Sequence, residues 1–352
     1  MQSYQIVEWG KPLERREYPT PVPQGTEVLL RVTAAGVCHS DVHINDGFFD
    51  LGDGRRAELA KLGAKLPLTL GHEIAGVVEA VGPDAEGVAV GDARVVFPWI
   101  GCHRCPVCAH EREQFCNSPK FLGARVDGGY SDHVIVPHPQ YLIDYDGVPV
   151  ELACTYACAG LTAYSALQKV LPLGEADHLL LIGVGGVGLS GLHIAPALTQ
   201  ARLIVADVDA AKRARAQEDG AHATIDNSTP DAIEQVMSMS EGGVRAAIDF
   251  VGAPATAQFG LRSLRKGGTL IIVGLYGGAL SLSLPLMPQR SLAIRGSYVG
   301  TLDEMHEVMA LGRAGKIPPI PLDIRPLSEA PRALDDLRVG RVSGRVILRP
   351  AA

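Results

Sequence analysis

The chain has 352 residues, 47% of them apolar and 20% charged, with a formal net charge of −7. That length suits two domains, each with its own apolar interior, and the composition excludes a disordered chain. The acidic balance supplies no basic footprint for nucleic acid, and no apolar run approaches the length that spans a bilayer.

Met1 to Arg16 mixes Gln, Glu, Lys and Arg with apolar residues and lacks the continuous apolar stretch of an export signal. A cytoplasmic setting is expected, in which cysteines serve metals before disulfides. Up to about residue 150 the chain reads as short strands broken by Gly and Pro: Val28–Val32, Ile74–Val81 and Arg94–Phe97. Alternation and β-branched residues between turn formers predict an antiparallel or barrel-like region.

Two polar strings interrupt that region, Gly36-Val37-Cys38-His39-Ser40-Asp41-Val42-His43 and Gly71-His72-Glu73. A working zinc takes three protein ligands and keeps one position open, which these strings can provide with one further cysteine, Cys154 or Cys158. Between the strings, residues 52–65 are rich in Ala, Glu, Leu and Lys and predict a short helix. Its place in the chain suggests a border of the substrate entrance, with Phe48, Phe49 and Trp99.

Cys102, Cys105, Cys108 and Cys116 put four soft thiolates on one short segment. With no built-in open position they predict a closed, tetrahedral structural zinc; an iron–sulfur cluster is the rival chemistry. His103 and His110 lie inside this lobe and are expected at the surface.

From about residue 160 the pattern alternates: strand Leu179–Ile182, helix Leu189–Thr199, strand Arg202–Ala206, helix Ala210–Glu218, strand Ala246–Phe250, helix Thr256–Leu264 and strand Thr269–Val273. This is the rhythm of a doubly wound parallel sheet. Gly183-Val184-Gly185-Gly186-Val187-Gly188 follows the first strand and opens a helix, a context in which backbone amides cradle a pyrophosphate. Asp207 lies 19 residues beyond Gly188, at the end of the second strand, where a carboxylate accepts from both ribose hydroxyls. A 2′-phosphate there would face Asp207 and Asp209, so NAD is expected over NADP. Helix Leu302–Ala314 and strand Arg345–Leu348 break the rhythm and are expected to return to the first domain.

Taken together, Cys38 through His43, Gly71-His72-Glu73, the four-cysteine lobe, Cys158-Ala159-Gly160-Leu161-Thr162 and the glycine turn resemble the zinc-containing, NAD-type microbial alcohol dehydrogenases of the medium-chain family. The resemblance covers nearly the whole chain. It implies an α/β protein: a GroES-like β-rich catalytic domain, residues 1–159 and 301–352 with the zinc lobe at 102–116, and a Rossmann NAD-binding domain at 160–300. It selects Cys158 over Cys154 as third ligand beside Cys38 and His72, giving two zinc ions per chain with the lobe. Asp41 is implied to orient His72, Glu73 to approach zinc during ligand exchange, Ser40 to take the alcohol proton and His43 to pass it to solvent. His39, Thr162, Lys212, Val251, Val273, Leu275 and Arg345 match cofactor-contact positions.

The reaction implied is reversible oxidation of primary or secondary alcohols, aliphatic, cyclic or benzylic, with the alcohol ionising beside zinc and hydride passing to NAD. Polyol-specific relatives often carry a carboxylate where this chain has Cys158. The alternatives are a polyol or other specialised hydroxy-compound dehydrogenase and a non-catalytic zinc- and NAD-binding relative. A homo-oligomer is implied, a tetramer before a dimer, with no nucleic-acid or membrane partner.

Overall fold

The computed structural model describes residues Met1–Ala351, which fall into two units. The first takes Met1–Phe48, Glu58–Leu161 and the chain from Gly300 onwards; the second takes Phe49–Ala57 and Thr162–Val299.

The first unit is built on a seven-stranded sheet in the order Leu142–Ile143, Ala93–Val96, Glu73–Val81, Val28–Gly36, Arg345–Arg349, Leu322–Pro326, with His133–Val136 also paired to Val28–Gly36. Val28–Gly36 holds the centre because its Val, Leu and Ala residues are buried along almost its whole length. It pairs antiparallel with Glu73–Val81 from Val28↔Val81 to Gly36↔Glu73, and with the last strand through Ile347↔Gly36. The C-terminal segment therefore does return to the first unit. A smaller sheet, in the order Glu14–Glu17, Gln2–Ile6, Leu68–Thr69, completes the β-rich part.

The second unit is a six-stranded parallel sheet ordered Ala223–Ile225, Arg202–Ala206, His178–Ile182, Val244–Asp249, Leu264–Ile272, Ala293–Gly296. Numbered along the chain the strands run 3-2-1-4-5-6, the doubly wound order whose reversal between the first and fourth strands marks a ligand crevice. Leu180, Ile182, Ile204, Ala206, Leu264 and Leu270 form its core. Among the described residues no helix is long and apolar enough to cross a membrane.

One segment departs from its expectation. Residues 52–65 do not begin as a helix: Phe48–Gly52 and Arg55–Glu58 form a hairpin. Asp53 and Gly54 both take positive φ, 54° and 74°, which is the type I′ turn that an Asp-Gly pair favours over helix propensity. Gly52 lies so close to the backbone of Gly278 and Ala279 that a Cβ would collide with it, so residues 49–57 group with the second unit instead of the first.

Candidate active site

The Gly36↔Glu73 register places one cluster at a single sheet end. Cys38 lies two residues past one strand, His72 directly before its partner, and Arg345 opens the last strand. Gly36 suits the spot because a Cβ there would run into the Glu73 side chain. Cys158 arrives from a helix: Val150–Thr155 passes into a π-turn, Tyr156–Gly160, before Leu161–Gln168 resumes as α-helix. Such a turn inserts an extra residue and redirects the side chains it carries. One ligand atom each from Cys38, His72, Glu73 and Cys158 lies within 4.8 Å of the others, and all four residues are buried. Cys154 is buried outside this set, its thiol donating to the Glu151 carbonyl at 3.3 Å.

Cys38 is the N-cap of helix His39–Asp46. Its backbone N–H donates to Asp41 Oδ2 at 2.9 Å, the Tyr130 hydroxyl donates to the same oxygen at 2.8 Å, and Asp41 Oδ1 faces His72 Nδ1 at 3.1 Å. The imidazole thus turns Nδ1 toward Asp41 as a close charge contact, and both of its buried nitrogens, Nδ1 and Nε2, lack a hydrogen bond of good geometry. Burial alone would lower the His72 pKa, but the charge and hydrogen bond of Asp41 outweigh it and the net shift is upward. The Cys38 and Cys158 sulfurs are 3.9 Å apart. Cys38 is held well below the ordinary thiol value by the hydrogen bond from Cys158, and the same bond, with burial, pushes Cys158 up. Two ionised thiols in this space require a cation. A tetrahedral zinc with bonds of about 2.3 Å has sulfurs about 3.8 Å apart, so the spacing and the orphaned His72 nitrogen fit that metal.

Arg345, a cofactor-contact position by resemblance, is buried, and its guanidinium is paired with Glu73 Oε1. Burial raises the Glu73 pKa and the Arg345 charge opposes that rise. Glu73 Oε2 has no hydrogen-bond partner, and one of the two carboxylate oxygens lies within the ligand cluster. Trp99 is buried; its ring lies 5.3 Å from His72 and its indole N–H donates to the Ala157 carbonyl at 2.9 Å. Phe48 is half-buried at the start of the hairpin. Ser40 and His43 share the Cys38-capped helix, both half-buried, and the exposed His39 ring lies 5.4 Å from that of His43.

The second cluster is Cys102, Cys105, Cys108 and Cys116, again with sulfurs within 4.8 Å of one another. Cys102 is held down to about 6 by the Arg104 amide, while desolvation pushes Cys108 up to about 12. Four thiols in that spread carry four charges only around a metal, and among the described residues no His, Asp or Glu joins the four cysteines, which suits a closed site. His103 and His110 are exposed, though His103 Nε2 meets the Tyr141 hydroxyl at 2.9 Å.

In the second unit the three fingerprint glycines divide the work. Gly183, at φ +81°, presses on the Val251 side chain; a Cβ on Gly188 would collide with the Gly183 carbonyl; Gly185 is exposed with nothing within 4 Å of where a Cβ would sit. The last is a cradle open to a pyrophosphate, at the start of helix Gly186–Leu198, with Val187 in its first turn. Asp207 is buried, its two oxygens accepting from Val184 N–H and Asp209 N–H at 2.9 Å each. One lone pair remains on each oxygen for a pair of hydroxyls. Lys212 lies in the first turn of the helix capped by Asp209. Thr162, Val251, Val273 and Leu275 belong to this unit, Thr162 with a buried, unpartnered hydroxyl and Leu275 exposed.

Comparison with known proteins agrees with both halves. The alcohol dehydrogenase GroES-like domain model matches residues 24–146 and the zinc-binding dehydrogenase model residues 186–313. A NAD-dependent alcohol dehydrogenase of Sulfurisphaera tokodaii is 37% identical, covering 99% of this chain and 100% of its own. The chain belongs to the zinc-dependent medium-chain alcohol dehydrogenase family. The alcohol dehydrogenase of Aeropyrum pernix superposes with a TM-score of 0.89 at 31% identity, over 99% of this chain and 100% of that one. Another family member, the NADP-dependent D-arabinose 1-dehydrogenase of Saccharolobus solfataricus, is 31% identical over 98% of this chain and 96% of its own.

Three features of this family member escaped the sequence. Tyr130 and the Glu73–Arg345 pair depend on partners brought together by the fold, 89 residues apart for Tyr130 and Asp41 and 272 for Arg345 and Glu73, while the π-turn at Tyr156–Gly160 is a local break in a helix. The available signal was the pair Gly128-Gly129 before Tyr130, which lets that segment run against Gly71 and Ile74.

Proposed function

We propose that this enzyme is a NAD-dependent alcohol dehydrogenase with a catalytic zinc at Cys38, His72 and Cys158 and a structural zinc in the 102–116 lobe. The observation that carries the reading is the buried set of two thiols and an unpartnered imidazole nitrogen, found in a chain that also holds an open glycine cradle. When bound, zinc supplies the Lewis acid that lets an alcohol ionise near neutral pH, and NAD supplies the hydride acceptor.

The residues do the rest. Asp41 keeps His72 turned toward the metal position, and Arg345 holds Glu73 beside it, ready to enter during ligand exchange. Trp99 and Phe121, 5.4 Å apart edge to face, wall off the back of His72 from water. Ser40 would accept the alcohol proton as its own hydroxyl proton moves on through the ribose hydroxyls to His43, which releases it to solvent. Burial, then the neighbouring His39, lower the His43 pKa, so the ring is neutral and able to accept at pH 7 and loses that capacity as pH falls. His43→Gln is expected to cut kcat by about 100-fold and to remove the acidic limb of its pH profile, with partial rescue by added imidazole. A variant retaining both the rate and the limb would eliminate the relay. Amides of the glycine turn bind the pyrophosphate, and Asp207 accepts from the ribose hydroxyls.

NAD reduction over primary, secondary, cyclic and aromatic alcohols and simple sugars tests the function. The expected result is turnover of alcohols, with NAD preferred to NADP because a 2′-phosphate would face the Asp207 carboxylate. A preference for sugars would move the chain toward the D-arabinose-type relative, and no turnover despite bound zinc and NAD would support a non-catalytic role.

We also infer a homo-oligomer, a tetramer before a dimer, and a cytoplasmic setting. Among the described residues strand Ala293–Gly296 is paired on one side only, and Tyr276, Leu284, Leu286 and Tyr298 are exposed in the segments around it. A single-chain mass in sedimentation would remove the oligomer.

A further inference from the structure

We propose that Tyr130 is a positioning residue for the metal ligands: its phenol O–H, donated to Asp41 Oδ2, fixes the carboxylate that orients His72. The inference rests on the zinc reading above and adds a residue that touches neither metal nor substrate.

Asp41 is wholly buried, so its carboxylate depends on protein donors for everything water would otherwise give it. It has three neighbours: the Cys38 amide and the Tyr130 hydroxyl on Oδ2, His72 on Oδ1. Cys38 and His72 are the ligands being positioned. Tyr130 is the member of this set anchored elsewhere in the scaffold. Its amide donates to the Leu70 carbonyl and its carbonyl accepts from the Tyr4 amide, both at 2.8 Å. Its ring is pressed against Gly71, where a Cβ would collide with the aromatic carbons. The residue preceding His72 thus makes room for the ring whose hydroxyl holds the carboxylate on which His72 leans. Burial, reinforced by the Asp41 charge, keeps the phenol far above its ordinary pKa, so it is a permanent donor.

Without the hydroxyl, Oδ2 keeps one amide and the carboxylate is free to pivot away from His72 Nδ1. The ring of phenylalanine still fills the Gly71 cradle, so the fold is preserved while the hydrogen bond is lost. Partners that orient a ligating histidine are worth about 10- to 100-fold in metal affinity, and the lobe cysteines share none of these bonds.

The test is the rate of zinc release from each site to a chelator, in wild type, Tyr130→Phe, Asp41→Asn and the double variant. Tyr130→Phe is expected to release one zinc about 10-fold faster while the lobe zinc leaves at the wild-type rate. In the Asp41→Asn background it is expected to add nothing, because the hydroxyl acts through that carboxylate. Unchanged release from Tyr130→Phe, or full additivity with Asp41→Asn, overturns the Tyr130 role alone. A wild type that holds zinc only in the lobe overturns the catalytic-zinc reading and this one with it. Site-specific fluorotyrosine at 130, a stronger donor of the same shape, gives an independent sign: slower release supports the role, and unchanged release overturns it.

Discussion

Cys158→Ser is expected to lower the zinc content from two per chain to one and to cut kcat/KM for any alcohol by about 1000-fold or more. The sulfur belongs to a buried set whose members lie within 4.8 Å of one another. Replacing it with a hydroxyl removes one of two thiolates from the metal position, while the side chain keeps nearly the same volume. A Lewis acid contributes several kcal/mol to ionising an alcohol at neutral pH, and each 1.36 kcal/mol is tenfold in rate. Cys154→Ser is the matched control: its thiol donates to the Glu151 carbonyl, a bond that a serine hydroxyl also makes, and metal and turnover are expected to persist. Zinc analysis and initial rates on both variants check the assignment. If Cys154→Ser strips the metal and Cys158→Ser keeps it, the two cysteines have been given each other's roles.

Cys105→Ser is expected to produce the largest loss of stability. The lobe has little else to hold it: helix Pro106–Ala109 is four residues long with none buried, and the turn Glu113–Phe115 buries only Gln114. Its remaining ties are polar. Glu113 accepts from the Gly101 amide at 2.6 Å and from the Tyr141 hydroxyl, which also meets His103. A structural zinc in a segment of this kind carries about 10–16 kcal/mol of folding free energy in isolated peptides, so losing a ligand is expected to cost more than about 4 kcal/mol. In a chain of this size that lowers Tm by about 5 °C or more. Calorimetry with and without added zinc, and proteolysis within 102–116, read the effect. A variant that melts with wild type and resists protease would mean that the lobe folds without its metal.

What the sequence made legible was local. The glycine turn, the strand before it and the Asp207 that follows all lie within about thirty residues, and the structure sets them in the order their spacing predicts. The four cysteines of the lobe needed only their own loop. Cys38 and His72 were identifiable, but their meeting depends on the Gly36↔Glu73 register, which no local pattern encodes. Arg345 stands at a cofactor-contact position of the family pattern, but its burial against Glu73 follows from a sheet pairing across more than 300 residues that no local pattern encodes. The hairpin at Phe48–Glu58 is a different failure. Its composition predicts a short helix, yet two left-handed residues in sequence, Asp53 and Gly54, decide a chain reversal and composition does not. Trp99 stands out in the sequence as an aromatic near the catalytic strings, but its 5.3 Å approach to the His72 ring is a product of the fold.

The most direct test of the central claim is NADH formation with an alcohol that the zinc-replete enzyme turns over, measured before and after chelation that empties only the Cys38–His72–Cys158 site, and again after zinc is returned. The account predicts loss of turnover with NAD binding intact, and recovery as one zinc per chain rebinds. Undiminished turnover from enzyme with that site emptied would contradict it.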